Sequence, residues 1–219
     1  MQTPEPHDLN IVSDIICPWC YIAKKQLASA LALGFETTQL ALHFDVTWRP
    51  FELNPDMPIC GVDRVSYRTQ KFGSWQRSQA LDTDVAAAGK RVGINFRHDL
   101  MTRTPNSFQA HRLILLAGHD ESQSAVVDAL FKAYFTEGRN VGETSVLVEI
   151  AAEAGLDAER VLKFLHSNVG VDEIRSQEQS AMNAEISGVP TFMLDGEVIF
   201  SGAVGAEAMA TYFKKALKK

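Results

Sequence analysis

Leu9-Asn10-Ile11-Val12-Ser13-Asp14-Ile15-Ile16-Cys17-Pro18-Trp19-Cys20 decides the fold. The run from Leu9 to Ile16 is rich in β-branched residues, which suit a pleated, half-buried backbone, so it reads as a strand. It passes without a linker into Cys17-Pro18-Trp19-Cys20, and Tyr21 to Leu33 then reads as a helix stopped by Gly34. Pro18 suits the first helical position, where its missing N–H costs nothing. Downstream, Leu42, Phe44, Val46 and Trp48 alternate with His43, Asp45, Thr47 and Arg49 up to Pro50. That period of two marks a second strand with one buried face, and a crossover through a helix makes the two strands parallel.

From Asn54 the pattern changes. A loop carrying Pro55 and Pro58 leads into a long stretch of helical spacing: Ala110, Leu113, Ile114 and Ala117; then Val127, Leu130, Phe131 and Tyr134; then Leu147, Ile150, Ala151 and Ala154. Gly155 reads as a helix stop, and Asp157 as the N-cap of a helix over residues 158–166. Strand character returns at Pro190–Leu194 and Glu197–Phe200 around Asp195-Gly196, a strong hairpin signal. A last helix buries Ala206, Met209, Ala210 and Phe213, with Lys214, Lys215, Lys218 and Lys219 at the end where the helix dipole favours cations. The expected class is α/β: β-α-β, then β-β-α in a mixed sheet, built from residues 1–53 and 187–219. Residues 54–186 form a large all-helical insertion.

Of the 219 residues, 46% are hydrophobic and 22% charged, the profile of an ordinary globular chain. The formal charge of −6 argues against nucleic acid or an anionic membrane as partner. Met1 to Asp8 has neither the basic start nor the apolar stretch of a secretory signal, and no apolar run is long enough to span a bilayer, which predicts a cytoplasmic protein. Three cysteines in a reducing compartment favour chemistry over structural bridges.

Attack on a disulfide needs a thiolate, so a reactive cysteine must hold its pKa below about 8.5. Cys17 stands at the strand-to-helix junction, facing unpaired N–H groups and the positive end of the helix dipole. It is the candidate nucleophile. Cys20, one helical turn on, is the candidate resolving thiol. A zinc half-site shares this spacing. No second pair appears, Cys60 and the histidines are scattered, and no metal is expected.

Ser13-Asp14-Ile15-Ile16-Cys17-Pro18-Trp19-Cys20-Tyr21 resembles the active site of DsbA-like proteins of the thioredoxin superfamily, the FrnE subgroup in particular. Pro105–Leu113, Tyr134–Gly138 and Ser187–Phe192 resemble that subgroup in the same order, across nearly the whole chain. The resemblance implies a thioredoxin-like fold with an inserted helical domain. It also implies a cis peptide bond before Pro190, which would sit beside the Cys17 sulfur and leave the Val189 backbone to pair with an extended substrate. On residues alone, Pro190 could simply begin a strand. Trp19 is expected at the exposed tip of the turn, offering an apolar contact. Two secondary candidates are Asp14, either a proton relay to Cys20 or simply solvated or hydrogen-bonded, and Asn106, which the analogy brings towards the cleft. His111 reads as a satisfied core histidine, and Cys60 as either an inert thiol or a third redox partner.

The expected activity is that of a thiol:disulfide oxidoreductase or isomerase acting on protein or small thiol and disulfide substrates. The redox centre is the Cys17–Cys20 disulfide, with no bound cofactor and glutathione as a candidate co-substrate. A glutathione-dependent small-molecule enzyme, of the kappa-class transferase or hydroxychromene-carboxylate isomerase type, is the alternative, although those relatives usually carry serine at the Cys17 position. A third reading is a binding module that uses the cleft without chemistry. The expected assembly is a monomer or homodimer.

Overall fold

A computed structural model describes residues 6–37, 44–120 and 122–218. Strand β1 (His7–Ser13) leads through the Cys17 turn into helix α1 (Pro18–Thr37) and then β2 (Phe44–Pro50), which pairs with β1 in parallel. Near the C-terminus, β5 (Thr191–Leu194) runs antiparallel to β1, β6 (Glu197–Ser201) runs antiparallel to β5, and α9 (Ala206–Ala216) follows. The sheet order β2-β1-β5-β6 puts β1, the strand that leads into the Cys17 turn, in the interior. Leu9, Ile11 and Phe192 are fully buried there, and α1 packs against α9. The β-α-β and β-β-α order therefore stands as read.

The hairpin turn follows from local chemistry. Asp195 and Gly196 have φ of 48° and 86°, the two positive values a type I′ turn demands. The Asp195 carboxylate accepts from the Asp8 N–H at 3.0 Å, which ties the turn to the start of β1.

Between β2 and β5 lie β3 (Val62–Asp63), α2 (Arg64–Phe72), α3 (Trp75–Lys90), β4 (Arg103–Thr104), α4 (Phe108–Gly118), α5 (Gln123–Glu137), α6 (Thr144–Glu153), α7 (Ala158–His166) and α8 (Val171–Asn183). The stripes read on α4, α5 and α6 are the buried faces of those helices, and Asp157 caps α7 through a bond from the Arg160 N–H at 2.7 Å. This stretch is not all helix. The antiparallel ladder β3–β4 is two residues long on each side, too short to leave a period-two pattern.

Three further points differ. Helix α1 runs past Gly34 to Thr37, because one glycine costs about 1 kcal/mol in a helix and does not stop one twenty residues long. Pro50 is the last residue of β2 rather than the stop beyond it, a position that an edge strand tolerates. Ala154 caps α6 rather than extending it. Leu42, His43 and Lys219 lie outside the described residues.

Candidate active site

β1 ends at Ser13, and the turn that follows is closed by the Cys17 N–H donating to the Asp14 carbonyl at 3.0 Å. Cys17 thus becomes the N-cap of α1: its carbonyl accepts from the Cys20 N–H at 3.1 Å, and Pro18 is the first helical residue. An N-cap side chain accepts from the second and third helical N–H groups, here those of Trp19 and Cys20. The sequence order Cys-Pro-Trp-Cys therefore aims two backbone donors at one sulfur.

The two thiols are split electrostatically. Donation from the Cys20 S–H to the Cys17 sulfur does most to lower the Cys17 pKa; burial opposes it, the Cys20 and Trp19 N–H groups assist it, and the Asp14 charge opposes it. Burial pushes Cys20 well above the usual thiol range, and the neighbouring Cys17 adds to that; the Ser13 hydroxyl and the Asp14 backbone pull the other way. Cys17 is 5% exposed and Cys20 is fully buried, so only the first can be reached from outside.

Cys17 opens on a cleft of about 450 Å³. Ile16, Pro18, Trp19 and Val189 line one side, and Trp19 is 42% exposed at the rim, as the sequence suggested. The Val189–Pro190 peptide bond is cis, and the Val189 carbonyl oxygen lies 3.7 Å from the Cys17 sulfur. The structure thus brings together Cys17, Cys20, Pro18, Trp19, Val189 and Pro190.

The opposite wall comes from α2 and α3, and sequence reasoning missed it. Arg64 and Arg68 both pair with Asp82, at 2.6 and 2.7 Å, and Lys71 donates to the Tyr67 hydroxyl at 2.8 Å. The four-residue spacing of Arg64, Arg68 and, one residue short of the next turn, Lys71 was the available signal, since it places all three on one side of a helix.

Asp14 is not solvated. It is fully buried, accepts from the Leu53 N–H at 2.7 Å, and stands 3.4 Å from His111 Nε2. His111 is a core histidine but not a satisfied one: Nε2 makes a close charge contact with Asp14 and no well-aligned hydrogen bond. Burial disfavours its charged form, yet Asp14, Glu52 and Glu178 outweigh burial and raise its pKa. Asn106 does not reach the Cys17 cleft. Its amide donates to the Met57 carbonyl at 2.8 Å, its oxygen accepts from the Phe108 N–H, and it lines a different cavity. Cys60 is exposed and donates to the Gly61 carbonyl at 3.4 Å. Among the described residues, no group of three or more His, Cys, Asp or Glu is arranged to hold a metal ion, and no helix is long and apolar enough to cross a membrane.

A probable DsbA oxidoreductase from Streptomyces coelicolor superposes with a TM-score of 0.86 at 32% identity, covering 97% of this chain and 91% of that one. The uncharacterized protein YwbO of Bacillus subtilis (strain 168) is 26% identical over 210 residues, which is 95% of this chain and 94% of the relative. The cytosolic disulfide reductase DsbM of Pseudomonas aeruginosa, also solved with GSH, shares the fold at 21% identity with a TM-score of 0.65, covering 96% of this chain and 98% of that one. The model of the DSBA-like thioredoxin domain matches residues 8–214, and with the β-α-β and β-β-α frame around Cys17 and Cys20 in place, the chain belongs to that family.

Proposed function

We propose that this protein is a thiol:disulfide oxidoreductase in which the Cys17 thiolate attacks a substrate disulfide and Cys20 resolves the mixed disulfide. The opposed pKa shifts of the two thiols carry the reading: the reachable sulfur is held as the better thiolate, and the buried one keeps its proton until the mixed disulfide forms. In the first step Cys17 S⁻ bonds to one substrate sulfur and expels the other as thiolate. In the second, Cys20 loses a proton, bonds to the Cys17 sulfur and expels the remaining substrate thiolate, leaving the Cys17–Cys20 disulfide. Trp19 and the Val189 backbone at the cleft rim suit an extended substrate with apolar side chains.

We assign the protein to the FrnE subgroup, whose members the segments Ser13–Tyr21, Pro105–Leu113, Tyr134–Gly138 and Ser187–Phe192 resemble. Residues 1–53 and 187–219 are the reactive unit, and residues 54–186 are an inserted domain supplying the far wall of the cleft. In a reducing cytoplasm such a couple rests as a dithiol and serves as reductase or isomerase.

Titration in glutathione redox buffers, with thiol trapping and mass spectrometry, tests the proposal. A reversible Cys17–Cys20 bond with a potential between about −270 and −120 mV supports it. No such bond at any poise refutes it.

A second reading, glutathione-dependent turnover of a small molecule, draws on Arg64, Arg68 and Lys71, cations that suit the carboxylates of a small peptide thiol. Saturable glutathione binding with isomerase turnover that survives Cys20→Ala would favour it over the first.

A further inference from the structure

The far wall of the cleft holds more positive charge than it neutralises. Arg64, Arg68 and Lys71 stand at i, i+4 and i+7 on α2, one stripe of that helix, and all three line the cleft on the wall opposite Cys17. The carboxylates on that wall are Asp82 and the exposed Asp84, and Asp82 serves both arginines, at 2.6 and 2.7 Å. His98 lies 4.0 Å from Asp82 but adds no charge at neutral pH, because burial holds its pKa below the usual value. Three cations therefore meet two carboxylates, in a chain whose formal charge is −6.

The three cations are not equivalent. Arg68 is committed: it donates to Ser78 Oγ at 2.5 Å, to the Ser78 carbonyl at 3.3 Å and to Asp82. Arg64 is only 3% exposed, yet among the described residues its guanidinium gives a single hydrogen bond, to Asp82. Most of its N–H donors are left over, on a buried side chain that lines the cleft and is braced by the Trp75 ring at 5.6 Å. Lys71 pairs with neutral groups only. Tyr67 donates its hydroxyl proton to Asn54 Oδ1 and accepts from Lys71 Nζ at 2.8 Å, so the ammonium is positioned without being neutralised. Arg64 and Lys71 are thus two preset cations with bonding capacity to spare, the condition under which a carboxylate is received. Seven residues separate them, about 10 Å along the helix, which leaves room for a carboxylate at each.

We propose that the substrates are small disulfides with a carboxylate on each half, and that Arg64 and Lys71 bind those carboxylates and set the specificity. Small size follows from access: Cys17 is 5% exposed and opens on about 450 Å³, so its sulfur is reached by a molecule that enters the cleft. Phe72, Leu81 and Trp19 offer apolar surface to the carbon chain between carboxylate and sulfur. The inference rests on the Cys17–Cys20 reading and keeps its chemistry. The Cys17 thiolate bonds to one substrate sulfur and the other half leaves as a thiolate; Cys20 gives its proton to solvent, bonds to the Cys17 sulfur and expels the second half. Two electrons pass from the protein dithiol to the substrate disulfide. The carboxylates make and break no covalent bond; they fix where the disulfide lies.

Charge-matched probes test it. Reduced protein in a Cys60→Ser background, which removes the exposed thiol, is mixed at low ionic strength with dithiodipropionate, bis(hydroxyethyl) disulfide or cystamine, a dianion, a neutral molecule and a dication of similar length. Acid quenching, alkylation and mass spectrometry give the rate of Cys17–Cys20 bond formation at each concentration. Dividing by the rate of free mercaptoethanol with the same disulfide removes intrinsic reactivity. The dianion should lead the neutral probe by at least about fivefold and the dication by more, through a lower half-saturating concentration rather than a faster limiting rate. The chain's own charge of −6 favours the dication, so net charge does not produce that order. Lys71→Gln should shrink the lead at least about threefold, Lys71→Glu should reverse it, Lys71→Arg should keep it, and salt at about 0.5 M should shrink it in the wild type. Arg64→Gln should shrink it too, with a thermal melt to show that this buried variant folds; the exposed Lys71 decides in either case. Equal normalised rates for the three probes, or an order unchanged in Lys71→Glu, overturns the inference and leaves the redox reading standing. A Cys17–Cys20 bond that forms with none of them overturns the redox reading, and the inference with it.

Discussion

Tyr21 stacks on Phe131 with ring centroids 5.1 Å apart and planes inclined by 13°. Tyr21 follows Cys20 directly in α1, and Phe131 belongs to α5, so this contact joins the reactive helix to the helical segment between β2 and β5. Phe131 is fully buried and also touches Trp48 and Phe135. Phe131→Ala should lower unfolding free energy by roughly 3–5 kcal/mol, the range for a buried aromatic truncated to a cavity. Urea denaturation measures this, and a loss under 1 kcal/mol would contradict the packing described.

Cys20→Ala should raise the midpoint at which Cys17 becomes reactive, because the S–H donation that does most to lower it is removed. Burial and the Asp14 charge then outweigh the N–H groups of residues 19 and 20, so the midpoint should rise above that of Cys17 in the unfolded chain. Alkylation rate against pH, in wild type and variant, reads both points. An unmoved midpoint would assign the shift to the helix terminus instead.

His111 gives the protein a pH-dependent term of definite sign. Its folded pKa is raised, so its contribution is fully present below about pH 6.5, the unfolded value, and is lost as pH rises through the folded pKa. The charges facing it are Asp14, Glu52 and Glu178, and Arg175 pairs with the latter two at 2.5 and 2.7 Å. The stability gap between wild type and His111→Asn should therefore be widest in mild acid and narrow towards alkaline pH. Chemical denaturation from pH 5 to 9 checks it, and a gap that widens with pH would reverse the assignment.

Gly138→Ala should destabilise by about 1–3 kcal/mol. Gly138 caps α5 at φ 70°, and a Cβ there would lie 2.5 Å from Leu100 Cβ and 2.6 Å from the Leu100 carbonyl oxygen. Both the left-handed backbone and the close approach require glycine. A melting temperature equal to wild type would show that residues 97–101 yield freely.

What the sequence made legible is what local pattern encodes. The strand-to-helix step at Cys17, the Asp195-Gly196 turn and the Asp157 cap are each decided by neighbours within a few residues. The cleft wall is not local: Arg64 and Arg68 meet Asp82 on another helix, and both face a cysteine some fifty residues earlier only because the chain folds back. Asn106 was misplaced for the same reason, since a bond to the Met57 carbonyl turns it towards another cavity. The burial of Asp14 against His111 could not be read from a polar residue at a strand end, because α4 supplies both the cover and the partner.

The two faces of the cleft come from stretches of chain that can be altered separately. Residues 16–19 and 189 form one face, and α2 and α3 form most of the other. Descendants of such a protein can acquire new clientele by exchanging residues on those two helices while inheriting the sulfur chemistry intact. Divergence in what is bound need not disturb how electrons are passed.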